Sequence, residues 1–475
     1  MSARLQLHRL AAAAALVALL TGCASTGNSH GEAQAAARAA TAASAIPAQL
    51  PAGAGGVAET PAIDWRSLAP DAALAALVEQ ALAHNLDLRV AALNVERAQA
   101  LLAGSEANRA PVIGAGVNAQ RAPNSQGNQA NSYSAGVQLA SWELDLFGRL
   151  KAQDEAARAQ WLASAAGQRA AELSLASQVM ATVLALRADD ALLAVTQRTL
   201  ASREQTLQLV ALRERVGAAS ALELQAQQSL VAQARATLAQ ATRARAQDAA
   251  TLALLVGRPV ADGAWALPGL AAEAQAGTAA LGELAQVPVG LSSQVLLARP
   301  DVVQAEQGLV AARANLAAAR AALWPSVTLT AQAGQAAGTL SGLFEGGNFA
   351  YTVAANVLLT VFDGGRRESA INAAGSAERI AVAQYQRAAQ VAFRETADAL
   401  AGLATWRAQR EAVAQQRDLA RDTDRLTTLR LQQGAASALE QQDAQRNLLA
   451  AEQALLQVRL AELNNRVALF KALGR

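Results

Sequence analysis

Hydrophobic and polar positions alternate with a period of two in four segments of the chain. The segments are about residues 111–121, 131–143, 325–335 and 349–361. In the third of them, Val327 and Leu329 share one face and Thr328 lies on the other. About ten alternating residues are typical of a strand that crosses a membrane with one side against lipid and the other in water. A soluble hairpin with one buried face is the alternative interpretation.

Between these segments the apolar positions follow a helical pattern that is rich in Ala and Leu. The predicted helices are about residues 87–109, 149–216, 220–256, 301–323, 366–433 and 437–473. Gly217 and Gly434 end the two long helices, and a serine with a glutamate three residues later begins the helix that follows. At about 1.5 Å per residue the long helices reach on the order of 100 Å, which requires a tubular or coiled-coil body.

The chain contains an internal duplication. Residues 217–223 read Gly-Ala-Ala-Ser-Ala-Leu-Glu, and the same seven residues return at 434–440, an offset of 217 positions (434 − 217). The helices that precede the strands are related by an offset of 214 positions, because Asp301 corresponds to Asp87 (301 − 87). The sequence therefore predicts two repeats of one unit, at 62–275 and 276–475, instead of several unrelated domains.

Four strands are too few to close a membrane barrel. Bacterial transmembrane barrels have at least about eight strands, and an open strand edge is not tolerated in lipid. If the alternating segments span a membrane, several copies of the chain must contribute strands to one barrel. The strand count therefore predicts an oligomer.

The beginning of the chain has the pattern of a lipoprotein signal peptide. Residues 1–22 combine a basic start with a short apolar run, and the run ends in Leu-Thr-Gly followed by Cys23, the only cysteine. This ending resembles the bacterial lipobox, so we expect N-palmitoyl and S-diacylglycerol groups on Cys23. Ala24 favours the outer membrane as the destination. Residues 23–61 are predicted to be a lipid-anchored tether, and a plain secretory signal is the alternative.

Composition argues against most enzyme classes. Three His and one Cys leave little material for a metal site or a catalytic triad, and no metal site is predicted. The net charge of +2 falls to zero once the signal, with Arg4 and Arg9, is removed (40 − 2 = 38 basic against 38 acidic residues). That balance gives no reason to expect nucleic-acid binding. We therefore predict that the protein is not an enzyme.

Four stretches together resemble the TolC-type outer membrane factor family, specifically its NodT-like lipoprotein branch found with resistance-nodulation-division pumps. The stretches are His84–Ala98, Trp142–Arg149, Arg299–Val302 and Phe362–Arg367. The resemblance covers about residues 62–475. It implies a mainly α fold with a small membrane β part: a homotrimer with four strands per chain, a 12-stranded transmembrane β-barrel (three times four) and a long α-helical barrel.

The resemblance also implies location and partners. The protein would be lipid-anchored to the outer membrane and would span it, with a large periplasmic part. A periplasmic adaptor (membrane fusion) protein and an inner-membrane pump would be its partners. The expected function is the exit duct of a tripartite efflux system, which passively exports small molecules such as drugs. A type I protein-secretion channel, a metal-efflux channel and a structural envelope lipoprotein are the alternatives.

Family positions carried onto this sequence place a periplasmic gate just after the helix-to-helix turns. The gate residues implied in this way are Leu439, Glu440, Asp443 and, in the first repeat, Glu223. The implied adaptor contacts are the turn residues Val216, Gly217, Ala218, Gly434 and Ala435. The locking Tyr and Arg of the family correspond to Leu431 and Ala436 here, so we expect the closed state to be held by other interactions.

Overall fold

The computed structural model describes residues 65–68, 72–123, 127, 129–261 and 293–474. In chain order they form α1 (Trp65–Leu68), α2 (Ala72–His84), α3 (Leu86–Ala107), β1 (Ile113–Pro123), β2 (Gln129–Leu144), α4 (Arg149–Arg215), α5 (Ala221–Val256), α6 (Pro300–Ala321), β3 (Ser326–Ala337), β4 (Phe349–Leu358), α7 (Arg366–Gln432) and α8 (Ala438–Leu473). Short 3-10 helices cover Ser293–Ala298 and Ser341–Phe344. The predicted signal peptide, the tether and Cys23 lie outside the described residues.

The described residues divide into two compact units. The sheet unit contains the four strands and the adjoining helix segments, residues 97–163 and 305–386. The helical unit contains residues 65–96, 164–261, 293–304 and 387–474. In the helical unit the core consists mainly of apolar side chains from the helices, such as Met180 and Leu184 on α4 and Leu463 on α8, all fully buried.

The two repeats form helices of equal length. α4 and α7 have 67 residues each, and α5 and α8 have 36 residues each. The long helices end one residue before the predicted ends at 216 and 433, because the residue before each glycine is the C-cap rather than part of the helix. The mainly helical fold with a small β part that the sequence predicts is confirmed. Among the described residues, none of the helices combines the length and apolar content that crossing a membrane requires.

The strands form one antiparallel sheet in the order β1-β2-β3-β4. The central β2–β3 pairing joins the two repeats, and its register shifts between Leu139 and Trp142. β4 ends at Leu358, three residues before the predicted end of the strand. The reason is that Leu358 pairs with Ser326, the first residue of β3, so no partner remains for the residues that follow.

Apolar and polar positions lie in register across the whole sheet. One apolar row runs through Ala115, Val137, Ala333 and Tyr351. The adjacent row on the opposite face runs through Gly114, Gln138, Gln332 and Thr352. Val137 and Tyr351 are more than half exposed, so no layer of described residues covers the apolar face. Within the described chain, the outer edges of β1 and β4 also have no paired strand.

Two glycines bring the central strands unusually close together. Gly136 and Gly334 are direct partners, and they continue a row of small residues from Gly116 to Ala350. A Cβ on Gly136 would lie 2.3 Å from the backbone oxygen of Ala333. A Cβ on Gly334 would lie 2.2 Å from the backbone oxygen of Ala135. The backbones can approach this closely only because neither residue has a side chain.

Where the sheet continues into the helices, an aspartate caps each long helix. Asp145 accepts hydrogen bonds from the backbone N–H groups of Leu150 (3.2 Å) and Lys151 (2.7 Å) at the start of α4. Asp363 accepts two more at the start of α7, at 3.0 and 3.1 Å. A carboxylate at a helix N-terminus satisfies free N–H groups and opposes the positive end of the helix dipole. Phe147 stacks on Trp324 beside these caps, with ring centroids 5.4 Å apart.

The starts of α3 and α6 are attached to the C-terminal ends of α5 and α8. The two repeats make this attachment with different side chains. The Asn85 side chain donates a hydrogen bond to the Leu255 carbonyl at 2.9 Å. At the corresponding position (85 + 214), Arg299 donates to the Ala472 carbonyl at 3.2 Å. Buried Arg299 also forms ion pairs of 2.8 Å with two carboxylates, Asp301 and Glu395. The duplicated junction therefore keeps its acceptor site but has exchanged a neutral donor for a charged one.

Replacing Gly136 or Gly334 with alanine should destabilise the sheet. The added methyl group would meet backbone atoms that cannot rotate away, so the strands must separate, and overpacking of this kind costs roughly 1–3 kcal/mol. Thermal unfolding of purified protein in detergent measures the effect. Gly114→Ala is the matched control, because no atom lies within 4 Å of its added Cβ. Equal melting temperatures for Gly136→Ala and Gly114→Ala would contradict the close approach.

Asp189 on α4 should make stability depend on pH. Burial raises its pKa to about 6, with smaller contributions from the charges of Asp248 and Asp190 and an opposing one from Arg245. Because the folded pKa lies above the unfolded value of about 3.9, folding binds a proton more tightly, and stability falls as pH rises from about 4 to 6. Asp189→Asn should therefore stabilise the protein at pH 7.5 by on the order of 1 kcal/mol, a figure reduced for solvent screening.

The comparison that tests this is thermal unfolding at pH 7.5 and at pH 4, where the gain from Asp189→Asn should disappear. Asp190→Asn is the matched control. Asp190 pairs with Arg245 at 2.6 Å, so its neutralisation should destabilise the protein at pH 7.5. A stabilisation by Asp189→Asn of the same size at both pH values would show that the carboxylate charge is not its cause.

Candidate functional site

The turns after the two long helices have the same hydrogen-bonded geometry. Gly217 has φ +73° and Gly434 has φ +71°, the left-handed conformation in which glycine is favoured. The N–H of Gly217 donates to the backbone carbonyl of Glu214 at 2.9 Å, and the N–H of Ala218 donates to the backbone carbonyl of Arg213 at 2.7 Å. This pair of bonds is a Schellman motif, and the turn at Gly434 repeats it at 3.0 and 2.8 Å. The turns are therefore rigid helix ends rather than loose loops.

The helices that follow begin with a serine cap. The side chain of Ser220 accepts a hydrogen bond from the N–H of Glu223, and Ser437 accepts one from the N–H of Glu440, both at 3.2 Å. The hydroxyl of Ser437 also donates to the carboxylate of Glu440, at 3.2 Å. Glu223 and Glu440 thus occupy the third helical positions that the sequence assigned to them as capping residues.

The predicted gate residues of the second repeat lie on the exposed side of α8. Leu439 is 64% exposed, and the Glu440 and Asp443 side chains are about half exposed. Each acid faces a cation: Arg430 lies 3.8 Å from Glu440, and Arg446 forms an ion pair with Asp443. Arg430 also donates to the Ala435 carbonyl at 2.9 Å, which ties it to the turn. The gate candidates are therefore acid–base pairs rather than bare carboxylates.

The residues predicted to contact an adaptor are all exposed in the described chain. They are Val216, Gly217, Ala218, Gly434 and Ala435. Val216 is 72% exposed, which is high for a valine next to a rigid turn. The turn of each repeat thus presents small residues and backbone to its surroundings.

Exposed leucines near the turns were not recognised in the sequence. Leu209 and Leu212 on α4 precede the C-cap residue Val216 with helical spacing, and all three are exposed. Their counterparts 217 positions later, Leu426 and Leu429 on α7, are also exposed. In the first repeat the spacing of three and four residues was a readable signal for an apolar stripe, whereas the second repeat keeps only the leucine pair, because Gln433 stands at the position that corresponds to Val216. Contiguous exposed apolar stripes of this kind are typical of interaction surfaces.

A buried polar link joins the helices of the two repeats near the turns. Gln227 on α5 is completely buried, and its amide oxygen accepts a hydrogen bond from Gln442 on α8 at 3.1 Å. Its amide nitrogen lies 3.4 Å from the backbone oxygen of Arg203 on α4. The side chain of Arg203, in turn, donates to the Leu230 carbonyl at 2.8 Å. Nothing in the local pattern marks these residues, because the link exists only once three helices are packed.

Within the part of the chain that the structure describes, no group of three or more His, Cys, Asp or Glu side chains could hold a metal ion. Cys23, the predicted lipidation site, lies outside that part. The described features are turns, exposed apolar stripes and paired charges, which suit assembly with other chains.

Comparisons with known proteins agree with this description. The family model of outer membrane efflux proteins matches residues 77–258 and 291–475. The chain is 37% identical over 422 residues to the toluene efflux pump outer membrane protein TtgF of Pseudomonas putida, which covers 87% of this chain and 85% of that protein. It is 36% identical over 419 residues to the outer membrane protein OprJ of Pseudomonas aeruginosa, with 87% and 86% covered.

The fold is also similar to solved structures. The open state of the Neisseria gonorrhoeae MtrE outer membrane channel has a TM-score of 0.78 with this chain at 32% identity, covering 90% of this chain and 95% of that one. The predicted family, the outer-membrane location and the role in efflux are confirmed. Because the family model matches most of both repeats and relatives above 30% identity cover most of the chain, this protein belongs to the outer membrane efflux protein family.

Proposed function

We propose that the chain forms the outer-membrane exit duct of a tripartite efflux system and exports small molecules passively. The observation that carries this is the four-stranded sheet. It has one continuous apolar face, one polar face and two outer edges that no described strand covers. A sheet of this kind is satisfied when its apolar face meets lipid, its polar face meets water and its edges pair with other chains.

Three copies would satisfy the sheet in the way the family resemblance implies. β4 of one chain would pair with β1 of the next, and three sheets of four strands would close a barrel of 12 strands. Closure removes every open edge, which is the requirement for backbone within lipid. The homotrimer is supported by the open edges, which require more than one chain, and by the family, which supplies the number three.

The turn residues and the leucine stripes support docking with other proteins. We assign Val216, Gly217, Ala218, Gly434 and Ala435 to contact with a periplasmic adaptor, which would connect the duct to an inner-membrane pump. Relatives are named as outer membrane proteins of toluene and antibiotic efflux pumps. We therefore propose small organic molecules as the cargo. A passive conduit requires no catalytic residue, and we assign none.

The gate in this proposal consists of two rings of paired charges and one apolar ring. Threefold symmetry would place three copies each of Glu440, Asp443 and Leu439 around one axis. Because Arg446 faces Asp443 and Arg430 lies near Glu440, each ring would carry little net charge. Such rings attract cations less than bare carboxylate rings would. We expect a narrow and only weakly cation-selective entrance.

Asp443→Asn should weaken block of the channel by divalent cations and should shift its selectivity toward anions, because it leaves Arg446 unpaired. Exposed charge pairs are worth about 0.2–1 kcal/mol, so the blocking constant should change by a factor of about 1.4 to 5. Single-channel recordings of the purified protein in planar bilayers with added Mg²⁺ measure it. Arg446→Gln is the matched variant and should change the block in the opposite direction.

The same recordings test the proposed function itself. Wild-type protein should form stable pores, whereas a structural envelope lipoprotein would form none. If pores form but both variants block like the wild type, Asp443 lies away from the conduction path.

Membrane retention distinguishes a spanning duct from a protein that is only anchored. We propose that Cys23 carries the covalent lipids, and we expect the sheet to hold the protein in the membrane without them. Cys23→Ala, combined with replacement of residues 1–22 by a cleavable export signal without a lipobox, should remove the lipid mass measured by mass spectrometry. The variant should still fractionate with outer membranes. Release into the soluble periplasmic fraction would contradict a membrane-spanning sheet.

A further inference from the structure

A polar cleft of about 190 Å³ separates three helices of the helical unit. Its walls come from α4, α7 and α8. The charged side chains that line it are Arg198 and Arg203 on α4, Asp424 on α7 and Glu452 on α8. The cleft therefore brings together cations and anions from both repeats.

Arg203 is a buried cation without a counter-ion. Its relative exposure is 2%, and its Nη1 donates to the Leu230 carbonyl at 2.8 Å. Its Nε has no hydrogen-bond partner, and no carboxylate oxygen of the described residues lies within 4.0 Å of it. Burial lowers its pKa, and the nearby charge of Arg446 adds to the effect. Burying an unpaired guanidinium is costly, so this arrangement leaves Arg203 incompletely stabilised.

Asp424 has the opposite charge and the same deficiency. Its Oδ1 is buried without a hydrogen-bond partner, and no cation of the described residues forms an ion pair with it. Burial raises its pKa, and the negative charge of Glu452 raises it further. Glu452 itself pairs with Arg421 at 3.5 Å. Asp424 is therefore the carboxylate in the cleft that lacks a partner.

A bound ion is a poor explanation for the cleft. Asp424 and Glu452 oppose an anion, and Arg198 and Arg203 oppose a cation. The two unpaired groups, in contrast, complement each other in charge and stand on different helices of the same cleft. Closing the cleft would pair them, and their mutual attraction would offset part of the cost of burying each charge alone.

We propose that Arg203 and Asp424 form an ion pair in a second arrangement of the duct, reached when α7 and α4 move toward each other. In the present arrangement the Arg203 guanidinium donates a hydrogen bond to the Leu230 carbonyl, and in the second arrangement it forms an ion pair with the Asp424 carboxylate. Arg203 is long and flexible enough to exchange partners when helices shift by about 1–2 Å, the size of shift found at switching interfaces. The pair thus shifts the equilibrium between two arrangements of the helical unit. This inference rests on the proposed duct function, because it assigns the switch to a channel.

The duplication supports a switch at this one position. The residues that correspond to Arg203 and Gln227 in the second repeat, 217 positions later, are Ala420 and Ala444. The corresponding positions of the second repeat therefore carry no buried arginine that could exchange partners in this way. The switch would act between the two repeats of one chain and not at every helix contact of the ring.

Single-channel recordings of the full-length protein in planar bilayers can test the pair. Wild type should occupy two conductance levels. Arg203→Gln and Asp424→Asn should each change the ratio of the levels in the same direction by about fivefold or more. The double variant should show no further change, because one broken partner already abolishes the pair. Asp422→Asn and Arg235→Gln, both exposed and paired elsewhere, are the matched controls.

Asp424→Asn keeps the test decisive if Arg203→Gln does not fold. The substitution is nearly isosteric and removes an unpaired charge, so it should raise the melting temperature while it lowers occupancy of the second level. An unchanged ratio of levels in Asp424→Asn would overturn the proposal. A double-variant effect equal to the product of the single effects would overturn it too. Absence of pores from wild-type protein would instead contradict the duct function itself.

Discussion

The unfilled hydrogen-bonding capacity of a four-stranded sheet is the constraint from which the rest of this protein follows. β1 and β4 present backbone donors and acceptors that no described strand pairs, and the apolar face has no layer of described residues over it. In water the exposed apolar face and open edges of such a sheet would promote aggregation, and in lipid the open edges would be prohibitive. Only copies of the same sheet, placed edge to edge, remove the problem. The sheet therefore determines both the membrane location and the assembly that we propose.

Duplication explains how one short unit supplies so large a structure. Each repeat contributes two strands, a 22-residue helix directly before them (α3 or α6) and a helical hairpin after them, and α4 and α7 have equal lengths. The parts that define geometry were kept in both copies: the glycine of the turn, the serine cap and the aspartate at the start of the long helix. The parts that define interactions diverged. Asn85 and Arg299 hold corresponding carbonyls with different charge, and Arg203 has an alanine as its counterpart.

Much of the fold could be predicted because it is encoded locally. Glycine at a positive φ, a serine cap and an alternating pattern each act over a few residues, so the helix ends and strands follow from the sequence to within a few residues. The Gly136–Gly334 contact, the Gln227–Gln442 link and the Arg203 cleft could not be predicted in this way. Each depends on which strands or helices become neighbours, and those contacts join residues far apart in the chain. The gate roles of Leu439, Glu440, Asp443 and Glu223 come from family resemblance and stay predictions.

Incomplete charge pairing in the helical unit bears on how its long helices can move relative to one another. If every buried polar group between the helices had a hydrogen-bond partner, the contacts would specify one packing arrangement and would resist rearrangement. Here Asp189, Arg203 and Asp424 each keep a buried polar atom without a partner, although Arg, Asp and Glu are plentiful on the same helices. Alanine-rich seams add little steric resistance to sliding. The helical unit thus combines hydrogen-bonded turns with buried polar atoms that lack partners. That is the combination which the proposed exchange of Arg203 from the Leu230 carbonyl to Asp424 requires.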